Sequence, residues 1–281
     1  SFSQMTILSG PRQGSYYFYV KDMVDVLNTD TNKTFANKET PGASYNFEEL
    51  LDPETPYKVA LVQSDLLYYM QLMDSKNNTN YTDDIKVLMP LTNEEIHVVT
   101  KTSSGLKKLE DLKGKNVGVG TKEQGTYASA IMMKERSLVF WNTKIGHFDQ
   151  ALYELYGDKI DAFIVVGSAP LDKLNLNPQA MVDELTLVPL TNVNDWAKYL
   201  SPDVIYASDY KWLDEDIPTY SVKSLLVVNE AKLTTDDKVE LEKLVNGLKS
   251  KFDYLKTNGS ADWNKVDFNS WDASNWPVYK F

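Results

Sequence analysis

Arg12 is a planar, permanently charged cation. It stands two residues ahead of Gly14-Ser15 in the run Gly10-Pro-Arg-Gln-Gly-Ser-Tyr-Tyr17. Its guanidinium fork suits a carboxylate or a phosphate. The glycine and serine open a helix whose first N–H groups lack partners within the helix, and the positive end of the helix dipole points the same way. The chemistry on offer is therefore capture of an anion. Gln13, Tyr16 and Tyr17 flank the turn, the tyrosines offering either an aromatic wall or core packing. Arg12 itself either meets the ligand, stands as a solvated surface charge or pairs with a carboxylate. Three later turns carry the same kind of polar groups: Gln63-Ser64-Asp65, Gly120-Thr121-Lys-Glu-Gln124-Gly125-Thr126 and Gly167-Ser168. Asp65 would repel an anion and is expected to cap its helix.

Other chemistries find little support. With no cysteine, thiolate catalysis, disulfides and zinc–cysteine sites are excluded. The two histidines, His97 and His147, have no metal-ligand spacing around them. Asp214-Glu215-Asp216 lacks the alternating spacing of a calcium loop. No nucleophile elbow, phosphate loop or dinucleotide fingerprint is spelled, so no catalytic residue, cofactor or metal is expected. A net charge of -11 without any basic run argues against nucleic acid. No apolar run of about 18 residues is present to span a membrane. The chain begins at Ser1 with an apolar strand close behind, as expected if a leader has been removed, and the lack of cysteine fits an exported bacterial protein.

The elements that must hold these turns alternate. Met5–Leu8 reads as a strand stopped by Pro11, with a helix from Gly14-Ser15 through Leu27. Lys58–Val62 is a strand followed by a helix through Met73. Val87–Leu91 and Ile96–Thr100 read as two strands, and 103–114 as a short amphipathic helix closed by glycine. Asn116–Gly120 precedes a helix from Tyr127 to Glu135. Lys159–Val166 is a buried strand, Leu185–Pro189 a further one, and Ser221–Val228 a β-rich run that crosses back. The leucine spacing from Asp236 to Leu255 is helical, and the tryptophan-bearing tail is expected to cover apolar surface. Repeated β–α units make the class α/β with mainly parallel sheets, and ligands in such sheets bind beyond the carboxyl ends of the strands. Residues 1–97 with 222–281 are expected to form one lobe and 98–221 a second, with the ligand cleft between them.

The same motifs, in order, resemble the solute-binding subunits of TRAP transporters of the TAXI class. The glycine-rich opening turn of that family stands here as Gly10–Tyr17, and its Ala-Leu-Val-Gln-Ser-Asp strand end as Ala60–Asp65. Ser104–Gly114, Val117–Thr126, Ile160–Gly167 and Glu215–Val228 follow the family's later segments, so the likeness covers most of the chain up to Val228. Pro11, Arg12 and Gln13 replace small residues of the family turn, as do Lys122, Glu123 and Gln124 in the later one. The resemblance implies a type II periplasmic-binding-protein fold, two hinged lobes with central sheets flanked by helices. It further implies an extracytoplasmic protein that binds a small organic anion, such as a dicarboxylate, a 2-oxo acid or glutamate, and hands it to an ion-gradient-driven TRAP permease. A monomer is expected, with Arg12, Gln13, Gly14, Ser15, Tyr16, Tyr17, Gln63, Ser64, Thr121, Gln124, Gly125, Thr126, Gly167 and Ser168 around the ligand. A sensing module that signals through a membrane receptor is the alternative.

Overall fold

The computed structural model describes residues 4–175 and 184–281. The chain divides into two compact units, Ser1–Thr92 with Lys223–Phe281 and Asn93–Val222.

The first unit opens with β1 (Met5–Leu8), α1 (Ser15–Leu27), β2 (Phe35–Lys38), α2 (Ala43–Leu51), β3 (Val59–Gln63) and α3 (Ser64–Asn77). β1 lies between β2 and β3 and is parallel to both, with Met5 opposite Phe35 and Ile7 opposite Val59. All five residues of β3 are buried, as a strand covered on both faces requires. α1 turns Tyr19, Val20 and Met23 inward at helical spacing. Its end is tied to β2 by Asn28, whose side chain donates to the Phe35 carbonyl (2.8 Å) and accepts from the Phe35 N–H (3.0 Å). β4 (Ile85–Lys101) then carries the chain into the second unit as one unbroken strand, where the sequence suggested two.

The second unit contains β5 (Asn116–Gly118), α4 (Gly125–Ser137), β6 (Asn142–Lys144), α5 (Phe148–Tyr156), β7 (Ala162–Gly167), β8 (Leu185–Leu187) and β9 (Ser201–Ile205). β5 pairs in parallel with β6 and β7. β7 and β8 flank β4, both antiparallel to it. The two-residue alternation of β4 and β7 sends Ile96, Val98, Ala162 and Ile164 into one apolar cluster and Val99, Phe163 and Val165 into another. The helix expected over 103–114 is instead two short 3₁₀ turns, Thr102–Ser104 and Leu109–Leu112. Gly105 and Gly114 each adopt φ 72°, and the Asp111 carboxylate accepts from the Lys107 and Lys108 amides. Leu106, Leu109 and Leu112 are buried at a spacing of three, which the tighter helix serves as well as an α-helix.

β10 (Ile217–Asn229) pairs antiparallel with β9 and then with β3, returning the chain to the first unit. There α6 (Thr235–Ser250) and α7 (Phe252–Asn258) replace the single helix read over 236–255, and Lys251 separates them. The strands of each unit are thus mixed: a parallel triad bordered by a long antiparallel strand, where a mainly parallel sheet was expected. The tail does cover apolar surface. Trp263 is fully buried against Tyr19 and donates its indole N–H to Asp22 (2.9 Å), while Trp276 donates to the Ile85 carbonyl (2.9 Å).

Candidate functional site

In the first unit, β1 and β3 run parallel, so the turns that follow them emerge at the same edge of the sheet. α1 begins at Ser15 after one, and α3 at Ser64 after the other. Asn46, fully buried on α2, clamps that edge: its amide donates to the Ser9 carbonyl (2.7 Å) and the Leu61 carbonyl (2.9 Å). Ser9 Oγ donates to Asn37 Oδ1 at 2.6 Å, and the Thr40 N–H donates to the Gly10 carbonyl at 3.2 Å. The Gly14 N–H is committed to the Pro11 carbonyl (2.8 Å), so the amides open to a ligand begin at Ser15. Gln13 and Ser15 are exposed, whereas Tyr16 packs on the core and Tyr17 is half-buried. Arg12 pairs with Glu39 at 3.2 Å and sits 5.6 Å from the Tyr17 ring centroid. Gln63 and Ser64 are buried, and Ser64 Oγ accepts from the Lys223 N–H at 2.8 Å while keeping its own proton to donate. Asp65 lies inside the first turn of α3, one residue beyond the start, and Gln63 occupies the cap position with no side-chain cap.

The second unit repeats the arrangement. β5 and β7 are parallel neighbours, which places the 120–126 turn, the start of α4 and the Gly167-Ser168 turn at one edge. Gly120 takes φ +74°, and Gln124 folds back over it so that its Oε1 accepts from the Thr121 N–H at 3.0 Å. Gly125 is buried. Thr126 Oγ1 accepts from the Val166 N–H (3.1 Å), which leaves the hydroxyl proton free to donate. A cavity of about 30 Å³ lies here, lined by Gly120, Gln124, Thr126, Gly146, Phe148 and Lys173 among others.

The segment after β7 is held from three sides. The Ala169 N–H donates to the Glu95 carboxylate at 3.1 Å, the Leu171 N–H donates to Tyr210 Oη at 2.8 Å, and the Trp212 indole donates to the Leu174 carbonyl at 2.7 Å. Tyr210 in turn meets His97 Nε2 at 2.8 Å, and His97 Nδ1 lies 2.8 Å from the Glu95 carbonyl. A carbonyl can only accept, so Nδ1 carries the proton and Nε2 accepts from the tyrosine. Burial pushes the His97 imidazole down to about 4 and the Tyr210 phenol upward. His97 is thus a neutral brace for the turn bearing Ser168 and Lys173. His147 is an exposed residue at the start of α5, and among the described residues no group of three potential metal ligands occurs.

Sequence reasoning reached all four turns but stopped at Pro170, three residues short of Lys173. The available signal was a lysine in the polar stretch just beyond a strand end. The larger cavity, of about 260 Å³, lies elsewhere, among Tyr68, Thr82, Lys86 and Trp276 of the first unit.

Parallel strands whose polar turns and helix starts gather on one edge, built twice in one chain, make the α/β fold of the periplasmic-binding-protein class. Solved structures of that class match nearly the whole chain. The arginine-bound protein Tv2483 aligns at TM-score 0.57 and 13% identity over 96% of each chain. An ancestral arginine-binding protein aligns at 0.53 and 15%, over 93% of this chain and 96% of its own. The substrate-binding protein of an ABC uptake transporter from Streptococcus pneumoniae, with bound histidine, aligns at 0.51 and 14% over 95% of each. At such identities the likeness establishes the fold. The chain belongs to the NMT1-like family, whose sequence pattern matches residues 7–245.

Proposed function

We propose that this protein is an extracytoplasmic solute-binding protein. It captures a small carboxylate-bearing solute (a dicarboxylate, a 2-oxo acid or an amino acid) and delivers it to a TRAP-type membrane permease. The observation that carries this reading is the repeated edge of polar turns and helix starts, one set in each unit, with the turns fixed by the buried Asn46, which donates to the Ser9 carbonyl, and the half-buried Glu95, which accepts from the Ala169 N–H. Backbone N–H groups at a helix start stabilise negative charge without a metal or a cofactor. Fold neighbours hold arginine or histidine, and those ligands share a carboxylate with the acids implied by the TAXI resemblance. Among the described residues no helix is long and apolar enough to cross a membrane, so delivery would take place by docking on a separate permease. No step of bond making belongs to this reading.

The test is a thermal-shift panel of dicarboxylates, 2-oxo acids, amino acids, sugars and polyamines. A true ligand at a hundredfold excess over its Kd adds about 2.7 kcal/mol to the native state, which is a clear rise in Tm. At least one carboxylate is expected to give it. Stabilisation by sugars or polyamines alone would sink the proposal.

A further inference from the structure

We propose that Lys173 supplies the cationic contact for one carboxylate group of the solute, seated in the small cavity of the second unit beside Gly120, Gln124 and Thr126; this rests on the solute-binding reading above. The cavity, about 30 Å³, matches the space of one water-sized group, so it suits a carboxylate head and not a whole solute. Its polar rim offers the Thr126 hydroxyl proton, still free to donate because the oxygen already accepts from Val166. Its wall is apolar, with Phe148 and Phe163 in edge-to-face contact at 5.5 Å.

Lys173 is the unsatisfied charge of this place. Its ammonium lies 4.9 Å from the Phe148 ring centroid, and among the described residues it has neither an ion-pair nor a hydrogen-bond partner. Asp149, the carboxylate that acts on it, does so from beyond ion-pair distance, and the surrounding atoms lower its pKa from the usual lysine value. The residue nevertheless remains exposed, so a solute can reach it. A cation stripped of part of its hydration and given no anion is a costly arrangement that an arriving carboxylate relieves. The aromatic face holds the ammonium in place without neutralising it. The turn that carries it is also fixed in advance: Glu95, Tyr210 and Trp212 bind Ala169, Leu171 and Leu174, the last being the immediate neighbour of Lys173. Such preorganisation reduces the ordering cost of binding.

The experiment titrates L-glutamate, 2-oxoglutarate, succinate and L-arginine into the wild type, Lys173→Met and Lys173→Arg by calorimetry. Whichever acid the wild type binds should bind Lys173→Met roughly 10- to 100-fold more weakly, the loss expected for one charge-assisted contact, with Lys173→Arg recovering most of it. Lys173→Met affinity within twofold of wild type overturns the assignment while leaving the solute-binding reading intact. A wild type that binds none of these four overturns this inference, while the solute-binding reading is decided by the wider thermal-shift panel. If Lys173→Met does not fold, acetic anhydride labelling of the wild type decides. A saturating acid should protect Lys173 at least threefold while the exposed Lys107 labels unchanged, and equal labelling of Lys173 with and without the acid overturns the proposal.

Discussion

Two single side chains carry much of the local order, and each makes a measurable demand. Asn46 satisfies the carbonyls of Ser9 and Leu61 from a fully buried position. Asn46→Leu keeps the bulk and strands both acceptors, which should lower stability by about 2–3 kcal/mol in urea denaturation. His97 is held neutral, well below its unfolded value near 6.5. The sign follows from linkage: below pH 6.5 the unfolded chain takes up a proton that the folded chain refuses until about pH 4. Its contribution is therefore complete above pH 6.5, is lost as pH falls toward 4, and changes no further below that. The loss amounts to about 3 kcal/mol. Urea titrations at pH 7.5 and 4.5 should show a smaller drop for His97→Gln than for wild type by about that amount, and parallel drops would refute the neutral brace. Arg12 makes no comparable demand, because its pair with Glu39 is largely exposed and such pairs contribute about 0–1 kcal/mol.

At the level of elements, the turn before α4 depends on Gly120. A Cβ there would stand 2.3 Å from Gln124 Oε1, and φ +74° already disfavours an L side chain. Gly120→Ala should cost about 1–3 kcal/mol. Adding Gln124→Ala should restore part of it by removing the clash, and a double variant no more stable than Gly120→Ala would contradict this account. The β1–α1 and β3–α3 units were readable because compact apolar runs end at Pro11 or at Gln63-Ser64. The same holds for the buried β7. What escaped was built from polar residues. β2 is Phe-Ala-Asn-Lys with a single buried position, and α2 buries Ser44 and Asn46 beside Phe47 and Leu50, which blurs its periodicity. The 3₁₀ turns over 102–112 were hidden because leucines three apart fit either helix, and tertiary packing with two left-handed glycines decided the matter. The four candidate turns were legible as polar punctuation. The lysine beyond Pro170 was not, because its relevance comes from Phe148 and Thr126, distant in sequence.

For the molecule as a whole, the fold is that of the periplasmic-binding-protein class and the chain belongs to the NMT1-like family; the proposed capture of a solute is what the ligand panel tests. The second unit is an unbroken stretch, whereas the first joins its opening residues to the last part of the chain. Leu241, Leu244, Leu248 and Trp263, which pack with Ile7, Tyr19 and Leu61, leave the ribosome only after the whole second unit. The opening strands must therefore wait, apolar and incompletely covered, while the later-born segment between them matures. Nascent chains of this design are open to aggregation during that interval, so the cell's holding factors would matter more for the first unit than for the second.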